Sequence, residues 1–370
     1  MKKSKVTMLT VLMALCMVVC TACSNNTLTG KIGLDGKCEF TATTLMEKET
    51  TDVLLNYFLV QMKDDEKSKQ MVKEIQNLEN VVVDGKTYYK AEESKKFNSY
   101  KEAENYVKGM DASLSGVSIT KDHFYAYVSQ DSGLLENKDK NKLMLTAMLV
   151  QTGLTNEQIT QMQDDMVMNF SITFDLPVTF SNGTVSGNEV SWSFKTAELE
   201  QKKSVQLYAE TTEKSTFEND KTAPSISGVK NNGYYNKVKM TITDKGVGIA
   251  NIVLDKNTQH VFENKSKVSM SSILFKEGEC KVTVYDFAGN KKVVSFTYDK
   301  TKPTVKGVAN NKVYKKACTI TFSDKNGVKS AKLNGKTIKN KKKVSKNGSY
   351  TLKVTDKAGN TNTVKFKIKK

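Results

Sequence analysis

Lysine is the residue type whose placement in this sequence says most about chemistry. The last 72 residues, 299–370, hold 21 lysines, three aspartates and no glutamate, so that segment has a net charge of +18. Residues 1–298 hold 36 lysines and 37 acidic residues and are close to neutral. Because ammonium groups are compact, strongly hydrated charges, this distribution predicts that the C-terminal segment binds a phosphate-rich or otherwise anionic polymer.

Two groups of lysines are dense enough to form such a binding surface. In the last predicted strand, apolar Val364, Phe366 and Ile368 alternate with lysines, which predicts a row of ammonium groups about 6.5–7 Å apart on the outer face. A second group crowds a predicted hairpin. The candidate polyanion-binding residues are Lys339, Lys341, Lys342, Lys343, Lys346, Lys365, Lys367 and Lys369. The alternative is a solvated face that only keeps the domain soluble, although solubility needs far less charge.

Side chains suited to catalysis are scarce. The chain has two histidines, His123 and His260, and neither has a partner residue at a useful spacing. No pattern typical of a zinc site, a phosphate-binding loop or a serine nucleophile elbow occurs. The single tryptophan, Trp192, is predicted to anchor a core rather than to stack on a sugar. We therefore expect a protein that is not an enzyme and that has no cofactor and no metal.

The N-terminus indicates export. Lysines at positions 2, 3 and 5 precede an apolar run over residues 6–19, which is typical of a secretory signal peptide covering residues 1–22. The following Cys20-Thr21-Ala22-Cys23-Ser24 resembles a bacterial lipobox, although Cys20 stands where Leu, Val or Ile is usual. The resemblance implies a lipoprotein with a fatty acyl anchor such as palmitate on Cys23 and a lipidated tether over 23–29. An ordinary cleaved signal peptide is the alternative.

An internal repeat organises the C-terminal half. Residues 220–224 (DKTAP) recur at 299–303 (DKTKP), and the copies close with DFAGN at 286–290 and DKAGN at 356–360. Short alternating segments between frequent turn signals are typical of small all-β sandwiches. These motifs resemble the bacterial immunoglobulin-like repeats of surface proteins. That resemblance implies two immunoglobulin-like sandwiches, 220–298 and 299–370, serving as spacers, stalks or adhesive modules.

The closing turn of each repeat carries oxygen ligands that could bind calcium. We expect the aspartate and asparagine of that turn to hold the backbone instead, with Gly289 and Gly359 at positive φ.

Residues 30–210 show a mixture of helix and strand signals. Capping boxes begin predicted helices at Ser99 and Thr155, and apolar spacing predicts two more near residues 71–78 and 143–148. Strands are predicted over 38–44, 123–129 and 168–174, followed by a hairpin between residues 177–180 and 189–194. The overall expectation is a multidomain chain, with an α+β N-terminal domain followed by two all-β immunoglobulin-like sandwiches.

The segments 35–40 (DGKCEF) and 174–192, which ends in GNEVSW, resemble the LppM domain of bacterial lipoproteins. The resemblance implies a compact extracytoplasmic domain over 30–210 for which lipid or lipoglycan binding is a plausible role. Nine of the eleven methionines beyond the signal peptide lie there and could line a cavity for acyl chains, or simply fill a core. Three cysteines beyond Cys23, at positions 38, 280 and 318, are expected to be small buried hydrophobes.

These patterns favour a noncatalytic lipoprotein at the extracytoplasmic face of the cell membrane. Its expected partners are the membrane, through the lipid on Cys23, and an anionic envelope polymer or lipid headgroups, through the lysine-rich sandwich. Nucleic acid is not expected as a partner because the chain carries an export signal. The alternative function is a lipid or lipoglycan carrier in which the LppM-like domain binds the ligand and the repeats form a stalk.

Overall fold

A computed structural model describes residues 24–61, 66–110, 114–129, 167–195, 204–254, 258–260 and 266–370, with isolated positions at 150, 153, 155–157, 159 and 198. The predicted signal peptide and Cys23 lie outside the described residues, as do most of the predicted helices after 143 and 155. None of the helices in the described part of the chain has the length and apolar content needed to cross a bilayer.

The N-terminal domain combines two sheets with four helices among its described residues. Its elements are β1 (Ser24–Ile32), β2 (Cys38–Glu47), α1 (Lys48–Gln61), α2 (Glu66–Gln76), β3 (Glu79–Val83), β4 (Lys86–Phe97), α3 (Tyr100–Met110), β5 (Leu114–Ile119), β6 (His123–Ser129), β7 (Val167–Phe174), β8 (Phe180–Ser181), β9 (Thr184–Ser186), β10 (Glu189–Lys195), β11 (Ser204–Glu210) and α4 (Thr216–Asn219). One sheet has the order β3-β4-β2-β1-β7-β10-β9, and the other has the order β5-β6-β11-β8.

Alternating hydrophobic residues build the core between these sheets. In β7 every second residue is buried, and the paired strand β10 buries Val190, Trp192 and Phe194 in the same alternation. Helix α3 adds Ala103 and Val107 to this core. The predicted cap of α3 is present, because the Glu102 backbone N–H donates to Ser99 Oγ at 3.3 Å. The strands and the helix start predicted in this region are therefore confirmed.

The predicted tether is wrong, because residues 24–29 are part of strand β1. This strand lies inside the seven-stranded sheet, antiparallel to β2 and parallel to β7. The sequence of β1 does not show the apolar alternation typical of a strand, because Leu28 and Ile32 are its buried large apolar side chains and the other residues are polar or glycine. Gly30 lies so close to Phe40 that an added Cβ would be 2.3 Å from the ring, so the position that breaks the apolar alternation is filled by a neighbour. The N-terminal domain therefore includes residues 24–29.

The predicted hairpin is also wrong in its first arm. Strand β8, at the end of the expected arm, pairs with β11 in the other sheet. The hairpin partner of β10 is β9, and the turn between them contains Gly187 at φ 63°. The local turn residues were correctly located, but the chain crosses between sheets just before them.

The remaining chain forms two β-sandwiches with the same strand order. The first sandwich contains β12 (Ser225–Ser227), β13 (Gly233–Tyr235), β14 (Lys239–Thr243), β15 (Ile249–Leu254), β16 (Thr258–His260), β17 (Lys267–Ser271), a 3-10 turn (Ser272–Leu274), β18 (Gly278–Asp286) and β19 (Lys291–Tyr298). The second contains β20 (Thr304–Lys306), β21 (Lys312–Tyr314), β22 (Cys318–Ser323), β23 (Val328–Leu333), β24 (Lys336–Thr337), β25 (Lys342–Val344), β26 (Gly348–Asp356) and β27 (Thr361–Ile368).

Each sandwich packs a three-stranded sheet against a five-stranded one. The five-stranded orders are β13-β19-β18-β15-β16 and β21-β27-β26-β23-β24, so the internal repeat of the sequence is a repeat of topology. The expectation of a mostly β chain with several domains is confirmed. Cys38, Cys280 and Cys318 are buried in the cores, as expected. Burial raises the pKa of the Cys38 thiol to about 11, so it stays uncharged.

Aromatic side chains join the N-terminal domain to the first sandwich. Phe217 of α4 stacks on Tyr208 at a centroid distance of 4.1 Å and lies 5.3 Å from the ring of Tyr125. Val247 and Phe287 of the first sandwich complete this buried cluster. The backbones also approach closely, since a Cβ added to Gly116 would lie 2.5 Å from the carbonyl oxygen of Ala250. These contacts fix the domain junction.

We predict that Phe217→Ala lowers the free energy of unfolding of the N-terminal domain by about 3 kcal/mol, because it leaves a cavity between stacked rings. Fluorescence of Trp192, the single tryptophan, during urea unfolding reports on that domain. The control is Ile273→Ala, which shortens a side chain that is 89% exposed and should leave the midpoint unchanged. Equal midpoints for the two variants would show that the junction does not support the domain.

Candidate polyanion-binding surface

The last strand presents lysines as its sequence predicts. In β27 the side chains of Val364, Phe366 and Ile368 are buried in the core of the second sandwich, whereas Lys365 and Lys367 are exposed. Lys369, just beyond the strand, is also exposed, and its backbone N–H donates to the carbonyl oxygen of Tyr314 at 2.9 Å. The alternation of core and charge on β27 is therefore confirmed.

Neighbouring strands extend this charged row into a two-dimensional surface. Lys353 of β26 and Lys332 of β23 are exposed and lie directly opposite each other in the antiparallel ladder. We call Lys332, Lys353, Lys365 and Lys367 the sheet lysines. Adjacent strands are about 4.8 Å apart and alternate residues about 6.8 Å apart, so these four ammonium groups share one face of one sheet. Lys332 and Lys353 are not among the residues predicted from sequence, because only the strand register places them on this face.

The first sandwich provides a natural comparison for this face. Its ladder places Val253 opposite Thr283, the same positions that Lys332 and Lys353 occupy. Ser295 and Thr297 occupy the positions of the remaining two sheet lysines. The fold therefore forms with neutral residues at all four places, so the lysines are not required by the sandwich itself.

Acidic residues do not compensate the sheet lysines. The segment 299–370, which is described throughout, has three acids, Asp299, Asp324 and Asp356, and their carboxylate oxygens lie within 4.8 Å of one another. Asp299 and Asp356 are buried and Asp324 is half-buried. Each ion pair found among the described residues has its lysine in the N-terminal domain. The exposed charged side chains of the second sandwich are therefore lysines.

The other five candidate lysines do not lie on a hairpin. Strand β24 pairs with β23 in the five-stranded sheet, whereas β25 pairs with β22 in the three-stranded sheet. The segment from Lys339 to Lys346 thus contains the crossover between the two sheets and the short strand β25. All five of its candidates are exposed, and we call them the crossover lysines: Lys339, Lys341, Lys342, Lys343 and Lys346. They lie apart from the sheet lysines, because Lys342 and Lys343 are on β25 of the three-stranded sheet and the other three flank that strand.

The closing turns act on the backbone as expected. The Asn290 backbone N–H donates to Asp286 Oδ1 at 2.8 Å, and Gly289 adopts φ 85°. The second sandwich repeats this turn with Asp356 and Asn360 at the same distance.

Methionines in the N-terminal domain occupy core positions where the structure describes them. Met46 and Met168 are buried, and Met71 is half-buried on α2. The other methionine side chains of this domain lie outside the described residues. Trp192 is a core anchor, as predicted, and its Nε1–H donates to Asn182 Oδ1 at 2.8 Å.

The imidazole of His123 contacts hydroxyl groups and an aromatic ring. Its Nε2 lies 2.8 Å from Ser118 Oγ and its Nδ1 lies 3.0 Å from Thr120 Oγ1, while the ring stacks on Tyr125 at 4.0 Å. Burial disfavours the charged imidazolium and lowers the pKa of His123 to about 4. Both nitrogens are engaged by hydroxyl groups, so His123 supports the strand turn beside the domain junction.

We predict that His123 makes the protein less stable in acid. Between pH 6.5 and about 4 the unfolded chain takes up a proton at this residue that the folded chain excludes, so the free energy of unfolding falls as pH falls. The slope from this group is at most about 1.4 kcal/mol per pH unit. Urea unfolding of wild type and His123→Gln across this range measures it, since the difference between the curves isolates one residue. Parallel curves would show that His123 titrates normally.

Comparisons with known proteins give similarities to parts of the chain. No protein-family profile matches the sequence. A stretch of 75 residues, 19% of the chain, is 47% identical to an outer cell wall protein of Brevibacillus brevis (strain 47 / JCM 6285 / NBRC 100599). The match covers 7% of that protein, so the chain corresponds to a small part of its length.

Solved structures resemble the chain only weakly. The folded domain of Mycobacterium tuberculosis LppM aligns with a TM-score of 0.27 and 11% identity over 51% of this chain and 88% of the LppM domain. The first two immunoglobulin domains of DIP-gamma align with a TM-score of 0.23 and 10% identity over 40% of this chain and 97% of that chain.

Proposed function

We propose that this chain is a noncatalytic envelope protein that binds an anionic polymer through the sheet lysines. A lipid on Cys23 would hold it at the extracytoplasmic face of the cell membrane. The observation that carries the proposal is the contrast between the two sandwiches. The same four sheet positions hold Lys332, Lys353, Lys365 and Lys367 in one sandwich and neutral residues in the other.

This arrangement costs stability, which argues against chance. Like charges placed directly opposite each other in an antiparallel ladder repel, and Lys332 faces Lys353 in this way. The first sandwich has a neutral valine–threonine pair there, Val253 and Thr283. A surface that keeps such a repulsive pair without an acidic partner is suited to a ligand that supplies the negative charge.

The chemistry of the ligand follows from the geometry. Four lysines on flexible stems present point charges without the rigid fork of arginine, so they suit a polymer whose anionic groups have no fixed geometry. Envelope polymers built on phosphodiesters, such as teichoic acids, meet this requirement. The identity shared with an outer cell wall protein supports a location in the envelope.

The carrier alternative has less support. Met46 and Met168, two of the methionines invoked for an acyl cavity, pack in the core of the N-terminal domain.

We predict that replacing the four sheet lysines by their first-sandwich counterparts abolishes most of the salt-sensitive binding. The variant is Lys332→Val, Lys353→Thr, Lys365→Ser and Lys367→Thr, in the full-length chain purified in detergent. Binding to poly(glycerol phosphate) teichoic acid is measured from about 50 to 500 mM NaCl. Each engaged charge contributes roughly 0.7–0.9 to the slope of log K against log salt, by analogy with nucleic acids, so the slope should flatten by about three.

Two controls separate a binding surface from net charge and from misfolding. Neutralising Lys69, Lys86, Lys96 and Lys121 removes the same total charge from exposed positions that pair with acids, and should leave the slope nearly unchanged. The sheet-lysine variant should unfold at the same or a higher temperature than wild type, because it loses cross-strand repulsion. If both quadruple variants weaken binding equally, the surface is not a specific site. If a variant of the crossover lysines alone removes binding, those lysines form the binding site instead.

A further inference from the structure

A second charged feature of the molecule is buried rather than exposed. Asp220, Asp244 and Asp286 of the first sandwich place carboxylate oxygens within 4.8 Å of one another. Their side chains belong to residues that are 8%, 5% and 0% exposed. None of the ion pairs found among the described residues includes any of the three. Three adjacent carboxylates with no cationic side chain paired to them are an unstable arrangement unless something else supplies positive charge.

Three separate segments bring these residues together. Asp220 directly follows α4 at the domain junction, Asp244 follows β14, and Asp286 ends β18. Backbone N–H groups orient two of the carboxylates: Val247 donates to Asp220 Oδ2 at 3.0 Å, and Gly248 donates to Asp244 Oδ2 at 2.9 Å. The cluster is thus held by the backbone and is not a chance meeting of flexible surface side chains.

One oxygen of the cluster has no hydrogen-bond donor. Asp244 Oδ1 is buried and unpartnered, although its companion Oδ2 accepts two backbone hydrogen bonds. A buried acceptor left unpaired is costly, and a charged one more so. A bound cation would both pair with this oxygen and relieve the repulsion among the three carboxylates.

We propose that Asp220, Asp244 and Asp286 bind a calcium ion at the end of the first sandwich where the chain enters it from α4. Calcium prefers carboxylate and carbonyl oxygens at about 2.3–2.6 Å, so oxygens on opposite sides of the ion are about 4.6–5.2 Å apart, in line with the spread of this cluster. Gly246 allows the Asp220 carboxylate to pack against the backbone of this loop, because a Cβ there would lie 1.9 Å from Asp220 Oδ2. A surface cavity lined by Lys214, Asp220 and Gly246, among others, borders the cluster at Asp220.

The second sandwich supplies a built-in comparison. Its cluster of Asp299, Asp324 and Asp356 is similar, but Asn326 inserts an amide whose Nδ2 donates to Asp299 Oδ2 at 2.8 Å. Asp324 is only half-buried, and none of the three aspartates has a buried oxygen without a hydrogen-bond partner. An amide donor takes the place that a cation fills in the first sandwich. The calcium site is therefore assigned to the first cluster.

The test is calcium titration of the full-length chain in detergent after removal of metals with EDTA. Isothermal titration calorimetry at pH 7.5 should show one ion per chain, and thermal unfolding should shift to higher temperature as calcium rises to about 10 mM, the upper range for extracellular modules. Asp244→Asn keeps the size of the side chain and its backbone hydrogen bonds but removes charge. It should lose the heat of binding and the thermal shift, whereas Asp324→Asn should keep both.

Folding of the variants is checked without metal. In EDTA, Asp244→Asn should unfold at the same or a higher temperature than wild type, because one of three repelling charges is gone. Three outcomes would overturn the assignment. The first is no binding heat for wild type at 10 mM calcium, which would leave a shared proton as the stabilising charge. The second is unchanged calcium binding by Asp244→Asn. The third is loss of calcium binding only in Asp324→Asn. None of these outcomes bears on the sheet lysines, which belong to the other sandwich.

Discussion

Successive side chains of a β-strand point to opposite faces of the sheet, so the residues that pack the core and those that face solvent can be chosen independently. The lysine-rich surface of this chain depends on that independence. Phe366 is buried whereas its neighbours Lys365 and Lys367 are exposed, so one strand serves packing and charge at the same time. Because the buried positions are conserved in kind between the two sandwiches, as with Phe296 and Phe366, the outer positions are free to differ. The same core can therefore carry a neutral face in one copy and a cationic face in the other.

Acidic residues are segregated as strictly as the lysines. In the last segment all three carboxylates lie together at the entrance of the sandwich, where the Asn360 side chain ties the carbonyl oxygen of Asp299 to the closing turn at 2.8 Å. The first sandwich uses Asn290 and Asp220 in the same way at 3.0 Å. In the segment 299–370 the acidic residues thus organise the point where the chain enters the sandwich, and the exposed charged side chains are lysines. This division explains why net charge alone describes the protein poorly.

Much of the organisation could be predicted from sequence, because it is local. The alternation in β27, the cap at Ser99 and the two repeated turns each depend on a few adjacent residues. The predictions from sequence were wrong where the structure depends on pairing between segments that are far apart in the chain. Strand β1 is polar, and its identity rests on pairing with β7 about 140 residues later. The crossover lysines look like a hairpin until β24 and β25 are assigned to different sheets. The carboxylate cluster of the first sandwich joins residues 220, 244 and 286, and no spacing rule connects them.

The central position of β1 has a mechanical consequence. Cys23, the proposed site of the lipid, directly precedes Ser24, so tension on the anchor is applied along β1. That strand is bonded on one side to β2 and on the other to β7 over most of its length. A lengthwise pull therefore loads two full ladders of hydrogen bonds in shear, all at once, rather than opening them one by one. Attached through Cys23 as proposed, the protein would meet a pull on its anchor with the full strength of both ladders.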